Sequence, residues 1–416
     1  MNILMANATW YPSGGDWTYV DSIVKIYESR GHSIIPFAMA DSRNFKTKYD
    51  KYFINNIDYS ELNNNISLSN SIKVISNSIY SFDAVRKLNL LLNENTIDIA
   101  QLNNIHNIHT PAIIKVLKKH KIPIVWRILD YKLICPNRTF LSNNIICEKC
   151  FKTKYYNCFT NKCKKNSYPA SFITTIESYF NKFMPYYNNV DTFLFQSEFS
   201  RNLFIKYGFD MKKTDIIENP YNLENYDLYP NNNEIINDKY ILYFGRISKE
   251  KGLFTLYDAM RKIPKIKLLV VGNGPDLNDS INYINQNNII NIEFKGPQWG
   301  DQLSPFIQKC EFVIVPSEWY EPNPYVVLQS FSHEKAVVAS DIGGLSDMII
   351  NNENGMLFIP GDPNDLSNCI ENLFYNNEKK LYLGKNAKII LKNKYNPDKY
   401  YNKSIDLFRN LINNKN

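Results

Sequence analysis

Twice in this chain a short apolar run ends in a glycine turn and is followed by a segment of helical spacing. The first run is Ile3 to Ala8. It leads into Ser13, Gly14 and Gly15, then Val20, Ile23, Val24 and Tyr27, with Gly31 closing the helix. The second is Tyr240 to Phe244, leading into GRISKEKG from Gly245 to Gly252. Apolar runs bounded by glycine and alternating with helix-length segments fit buried parallel strands joined by helices. Further strands are expected at Ile97 to Leu102 and Ile122 to Ile128 in the first half. In the second half they are expected at Ile266 to Val271, Asn291 to Lys295, Phe312 to Val315 and Ala336 to Ala339. The pattern predicts an α/β protein of two Rossmann-like, doubly wound domains facing a cleft. With 416 residues, 44% of them hydrophobic, the chain has enough apolar material for two such cores.

The first domain is expected over 1–218, with a cysteine-rich insertion at 135–165, and the second over 239–395. The polar, Asn-rich stretch 219–238 reads as the linker between them. A last helix over 396–416 places Tyr401, Ile405, Phe408 and Ile412 on one face and is expected to pack back on the first domain. The start MNILMANATW lacks a basic region followed by a long apolar stretch, and nowhere do about 18 apolar residues run together. A cytoplasmic chain that spans no bilayer is the expectation. The net charge of +7 is mild, but lysines cluster at Lys115, Lys118, Lys119 and Lys121, and again at Lys149, Lys152, Lys154, Lys162, Lys164 and Lys165. Such runs are either solvated faces or contacts to an anionic membrane leaflet. The aromatic stretch Phe172 to Tyr187 leaves the same choice open, between core and a membrane-facing surface that includes Tyr186 and Tyr187.

Open α/β sheets bind ligands at the carboxyl ends of their strands, where glycine turns collect backbone amides and helix N-termini. Four such turns occur, at Gly14 and Gly15, Gly245 to Gly252, Gly272 to Pro275, and Gly343 with Gly344. Within the second, the planar fork of Arg246 suits phosphate oxygens and Lys251 adds a mobile point charge. In PSEWYEPNPYVVLQS, Glu321 precedes a helix that Pro324 can open, and Gln329 falls about one and a half turns inside it. Such an array can hold the diphosphate and sugar of a nucleotide-sugar. The same residues also fit a carboxylate complementing a helix dipole and an amide facing solvent.

Cys147, Cys150, Cys158 and Cys163 lie in one lysine-rich segment, with Cys135 upstream. Their count and partial spacing leave three states open: a structural zinc site, reduced thiols, or disulfides.

The glycine turns combine with NIHN at Asn104 to Asn107, DYKLICPN at Asp130 to Asn137 and SEFSRN at Ser197 to Asn202. VGNGP, IGG and NGMLF complete the set. Together these resemble the family 4 retaining glycosyltransferases of the GT-B fold, along nearly the whole chain. The resemblance implies that Arg246 and Lys251 bind the donor diphosphate, that Glu321 contacts the donor sugar and that Gln329 contacts the ribose. It further implies donor contacts from Gly14, Gly15, Gly245, Gly272, Gly274, Asn323, Pro324 and Tyr325, and an acceptor side formed by His106, Asn107 and Asp130. Two positions depart from the family pattern: Gln329 stands where a glutamate is usual, and Leu129 where a histidine usually lies near the transferred sugar.

The expected function is hexosyl transfer from a UDP- or GDP-sugar to a hydroxyl of a saccharide or lipid-linked acceptor. It would serve surface glycan biosynthesis at the inner face of the plasma membrane, without a nucleic-acid partner. No Asp-x-Asp pair occurs in the sequence, so transfer is expected to need no metal or other cofactor. Three rivals stand beside this reading. One is a GT-B nucleotide-sugar epimerase or hydrolase acting on the donor alone. Another is a zinc-containing, basic nucleic-acid-binding protein, which would leave the glycine turns and Glu321 unexplained. The third is a catalytically weakened nucleotide-sugar-binding homologue, signalled by Leu129 and Gln329.

Overall fold

A computed structural model describes residues 1–55, 79–106, 108–222 and 239–414. They divide into two compact units. The first comprises Met1–Ser142, Cys147–Pro220 and Pro397–Asn416, and the second Asn143–Ile146 and Tyr221–Asn396.

The first unit is built on strands β1 (Asn2–Ala6), β2 (Ser33–Phe37), β3 (Ile99–Leu102) and β4 (Ile124–Arg127). The short strand β5 (Leu141–Ser142) follows, then β7 (Thr192–Phe195) and β8 (Thr214–Ile216), while β6 (Ile145–Ile146) falls in the second unit. The six-stranded sheet has the order β2-β1-β3-β4-β7-β8 and its pairs are parallel. Every residue of β3, β4 and β7 is buried, as expected when helices cover both faces of a parallel sheet. Strand β2 escaped the sequence reading because Pro36 interrupts SIIPF. The strand lies at the sheet edge beside β1, where a missing amide donor is tolerated.

Arg127, the last residue of β4, is wholly buried. Its guanidinium donates to the carbonyls of Phe195 (3.0 Å) and Ile217 (2.7 Å) and to Asn219 Oδ1 (2.6 Å), and it lies 4.8 Å over the Tyr19 ring. A buried cation is costly unless its donors are satisfied; here three oxygens accept from both terminal nitrogens and gather the ends of β4, β7 and β8, while Nε–H is buried without a partner. Tyr19 in turn takes a hydrogen bond from Gln101 and pairs its hydroxyl with that of Tyr400, 2.7 Å away. Tyr400 sits on the helix Pro397–Asn413, whose buried residues are Tyr400, Ser404, Ile405 and Phe408. That face is turned from the expected one, for Tyr401 is half-buried and bonds to His32.

The second unit is built on β9 (Tyr240–Phe244), β10 (Lys267–Val271), β11 (Ile292–Gly296), β12 (Val313–Val315), β13 (Val337–Ser340) and β14 (Gly355–Phe358). Its parallel sheet has the order β11-β10-β9-β12-β13-β14. Alternate residues feed two cores. Ile241, Tyr243, Leu268, Val270 and Ile314 enter one, and Tyr240, Leu242, Phe244, Leu269, Val271, Val313 and Val315 enter the other. Each fully buried aliphatic or aromatic side chain contributes about 1.5–3 kcal/mol, as an upper estimate.

Most of the stretch read as the linker, 223–238, lies outside the described residues. Its first residues have no regular structure but are packed. Asn219 is buried under Arg127 in the first unit, and the Tyr221 amide bonds to the Tyr395 carbonyl in the second. The division between units thus falls at Pro220–Tyr221.

Candidate functional site

In the second unit β9 runs first, β10 and β11 lie to one side of it, and β12 begins the other side. The order reverses between β9 and β12, and ligands of open α/β sheets bind beyond the carboxyl ends of strands at such a point. The loop after β9 is pinned by hydrogen bonds from the Ile247 amide to the Asn273 carbonyl (3.0 Å) and from the Tyr243 hydroxyl to the Arg246 carbonyl (2.7 Å). With the backbone held, the Arg246 side chain is left exposed, and no carboxylate among the described residues pairs with it. Lys249 to Lys251 make one 3-10 turn, which ends at Gly252 with φ +70° before the helix Leu253–Lys262. Gly252 is obligatory for two reasons. Its φ lies in the left-handed region, and a Cβ there would come within 1.8 Å of the Pro316 carbonyl oxygen.

That close approach brings the loop after β12 against the Lys251 turn. Lys251 Nζ donates to Glu321 Oε1 at 2.5 Å, and Ser317 Oγ donates to the same oxygen at 2.8 Å. The ammonium also lies 5.2 Å from the centre of the Trp319 ring. Glu321 is only 4% exposed, while the Lys251 side chain retains 23%. The Glu321 backbone is clamped as well, because the Gly344 amide donates to its carbonyl at 2.6 Å. A Cβ on Gly344 would lie 2.0 Å from the Pro322 carbonyl oxygen, so the turn after β13 can press against this loop only as glycine. Glu318 ties the same region together by accepting from Thr255 Oγ1 at 2.5 Å.

The expected residues Lys251 and Glu321 therefore meet, in a pairing that the sequence did not foresee. Lys251 and Glu321, read separately as a phosphate cation and a sugar contact, form one buried-edge ion pair. Pro324 is the N-cap of the helix Tyr325–Ser332 and not its first residue, and Asn323 is buried beside it. Gln329 is half-buried on that helix. Gly245, Gly272 and Gly274 pack loop on loop: a Cβ on Gly272 would meet the Gly245 carbonyl oxygen at 1.9 Å, and one on Gly274 the Ile247 carbonyl oxygen at 2.1 Å. Ser317, Glu318 and Trp319 were missed because nothing local distinguishes them from ordinary loop residues.

In the first unit the loops after β1, β3 and β4 carry a second polar group. Asn104 Nδ2 donates to Asp16 Oδ2 at 2.9 Å, and His106 Nε2 lies 3.4 Å from Asp130 Oδ1. Arg138 is 3.8 Å from the other oxygen of Asp130. Burial works to raise the Asp130 carboxyl, but the His106 ring, its hydrogen bond and Arg138 outweigh it and hold the group at about 2. Gly14 and Gly15 border this group with nothing within 4 Å of where a Cβ would stand. Asn107 lies outside the described residues. His109, three residues beyond His106, is a core residue. It is fully buried, its Nε2 donates to the Phe37 carbonyl at 2.8 Å, and burial lowers its pKa to about 4. The sequence reading passed over Asp16 and Arg138, which have meaning only once three strand ends come together.

The cysteines are free thiols. Cys150 and Cys158 are buried with Tyr155, and Cys163 and Tyr179 pack on them. A hydrogen bond between Cys158 and Cys163 pushes the first thiol up and pulls the second down. Among the described residues no group of three or more His, Cys, Asp or Glu side chains is placed to hold a metal ion. Burial raises the Cys150 thiol, and Cys135, Cys163 and Cys147 lie close enough to raise it further.

Residues 227–390, nearly the whole second unit with its Lys251–Glu321 pair, match the family model for glycosyl transferases group 1. The match covers less than half of the chain, and that stretch is similar to this family. An uncharacterized glycosyltransferase of Methanocaldococcus jannaschii is 33% identical over 147 residues, which are 35% of this chain and 41% of that protein. An uncharacterized 42.6 kDa protein in the cps region of Klebsiella pneumoniae is 24% identical over 364 residues, 84% of this chain and 87% of that one. The crystal structure of Anabaena HepE in complex with UDP and glucose superposes with a TM-score of 0.66 at 17% identity, covering 99% of this chain and 100% of that one. At that identity the likeness shows the fold alone. The fold is GT-B, two parallel-sheet α/β domains. The glycine turns that open onto the Lys251–Glu321 pair lie within the stretch matched by the family model.

Proposed function

We propose that this chain transfers a sugar, with retention of anomeric configuration, from a nucleotide diphosphate donor to a hydroxyl acceptor. The observation that carries the reading is the Lys251–Glu321–Ser317 group at the reversal point of the second sheet, beside the exposed guanidinium of Arg246. HepE, a structure of the same fold, is described in complex with UDP and glucose, and this supports a UDP-sugar as donor. Arg246 and Lys251 stabilise negative charge as the diphosphate leaves. Such preorganised charges are effective because they are already aimed before the bond breaks. Glu321, held on one oxygen by Lys251 and Ser317, keeps its other oxygen for a sugar hydroxyl. The acceptor hydroxyl attacks from the face that the diphosphate leaves, and its proton passes to the departing phosphate oxygen.

The acceptor is a saccharide or lipid-linked saccharide of a surface glycan. The Klebsiella relative encoded in a cps region supports that choice. The sequence has no Asp-x-Asp pair, and we propose transfer without a metal. Thermal denaturation with UDP-glucose, UDP-N-acetylglucosamine and GDP-mannose tests the reading, since a ligand of the folded state raises the midpoint. One of these donors should raise it, and the Arg246→Ala, Lys251→Ala double variant should lose the rise. No shift with any nucleotide-sugar at millimolar concentration defeats the proposal. Turnover of the responding donor should persist in chelator, and a rate restored only by magnesium or manganese defeats the metal-free part.

A further inference from the structure

The helix Tyr168–Phe183 is inside out. Its N-cap is Ser167, whose hydroxyl accepts from the Ala170 amide, and its buried residues are Ser171, Thr174, Thr175, Glu177 and Asn181. All five are polar. Tyr168, Phe172, Ile176 and Phe183 face solvent instead, with Phe172 at 52% exposure and Phe183 at 82%. At 3.6 residues per turn these four, with the half-buried Tyr179 between them, fall within about 80° of the helix circumference. The short helix Tyr156–Thr160 extends the stripe, since the exposed Phe159 ring packs 5.4 Å from Tyr168 and 5.8 Å from Phe172. Contiguous exposed aromatics of this kind mark an interaction surface. Tyr186, for which the sequence left core and exposed surface open, is fully buried and caps the helix end from within.

The charge around the stripe selects the partner. Residues 147–183 contain seven lysines and two carboxylates. Both carboxylates are already engaged by cations from outside the segment, Glu148 by Lys206 and Glu177 by the buried Lys132. Lys162 lies 4.5 Å over the Tyr168 ring, at the edge of the stripe. Lys115, on the helix Ala112–Lys119, lies 5.3 Å from the Tyr186 ring beyond the end of the Tyr168–Phe183 helix. A second copy docking through this face would set lysine against lysine. An anionic bilayer surface complements both features, taking the rings at the depth of the headgroups and the ammonium groups on the phosphates.

We propose that the Tyr168–Phe183 helix, with Phe159 and its flanking lysines, is a docking surface for an anionic membrane leaflet. No helix of the described residues is long and apolar enough to cross a membrane, so the contact lies in the plane of the interface. The inference is independent of the donor site. Full-length protein should co-sediment with vesicles of phosphatidylcholine containing about one third phosphatidylglycerol, and far less with phosphatidylcholine alone. The triple variant Phe172→Ser, Ile176→Ser, Phe183→Ser should lower the partition coefficient about a hundredfold, and Lys162→Gln with Lys164→Gln and Lys165→Gln at least about tenfold. All three substituted apolar residues are exposed, and an unchanged thermal midpoint shows that the fold is kept. Equal pelleting by wild type and both variants overturns the proposal. So does a wild type that ignores anionic vesicles yet forms a dimer that the apolar variant abolishes.

Discussion

Both units end their parallel strands in glycine turns, but the two sets are built for different purposes. In the second unit a Cβ on Gly252, Gly272, Gly274 or Gly344 would strike a backbone carbonyl at 1.8 to 2.1 Å. In the first, Gly14 and Gly15 have nothing within 4 Å. Glycine in the second unit lets loops lock on one another and so fixes the Lys251–Glu321 pair. In the first it leaves open space beside Asp16, Asn104 and Asp130, where a ligand's bulk rather than the protein's own backbone can lie. A rigid, paired site faces chemistry that must be preorganised, and an open turn suits a ligand whose shape varies.

The sharpest test of the rigid half is Glu321→Gln. Losing the charge that holds Lys251 should lower turnover by about 10²–10³-fold, the range found when one preorganised electrostatic partner is removed, with little change in overall fold. Single-turnover rates check this, and a rate within about threefold of wild type removes Glu321 from the mechanism.

Acid separates the units next. His109 is neutral in the folded first unit, with its pKa lowered from 6.5 to about 4 by burial. The unfolded chain therefore takes up a proton first as pH falls, and stability is lost between about 6.5 and 4 while it is retained above. Full loss across that window amounts to about 3 kcal/mol. Denaturant titrations at a series of pH values should show this slope in wild type and a flattened one in His109→Phe. An identical slope in both would move the acid sensitivity elsewhere.

Gly344→Ala then probes the locked turns directly. Its φ is −70°, so backbone conformation is no obstacle and the cost is that of moving the Pro322 carbonyl. A loss of about 1–3 kcal/mol is expected. Gly15→Ala is the counterpart, at the start of the helix Gly15–Glu28 with free space around it, and should change stability by no more than about 0.5 kcal/mol. Chemical denaturation of both variants decides the matter. If the two effects are alike, the contrast between locked and open turns has no energetic content.

Much of the scaffold was readable from local pattern. Strands β9 to β13 lie within a residue or two of the expected runs, because buried parallel strands are continuous apolar stretches bounded by turn residues. Strands β2, β7, β8 and β14 were not among the expected runs; β2 and β14 are edge strands with a proline or a glycine in them, and β7 and β8 are only four and three residues long. Arg246, Lys251 and Glu321 could be singled out from residue type beside glycine. Ser317, Trp319 and Asp16 could not, since their significance lies in what reaches them from other strand ends.

Alternation of apolar runs, glycine and helical spacing thus carries the order of strands, turns and helices, because each depends on neighbours a few residues away. Which cation neutralises Glu321, why His109 belongs to a core while His106 meets a carboxylate, and that the Tyr168–Phe183 helix turns its rings outward were decided only by packing. Those outcomes depend on contacts between segments tens of residues apart, whose distances and competing burial no local pattern encodes.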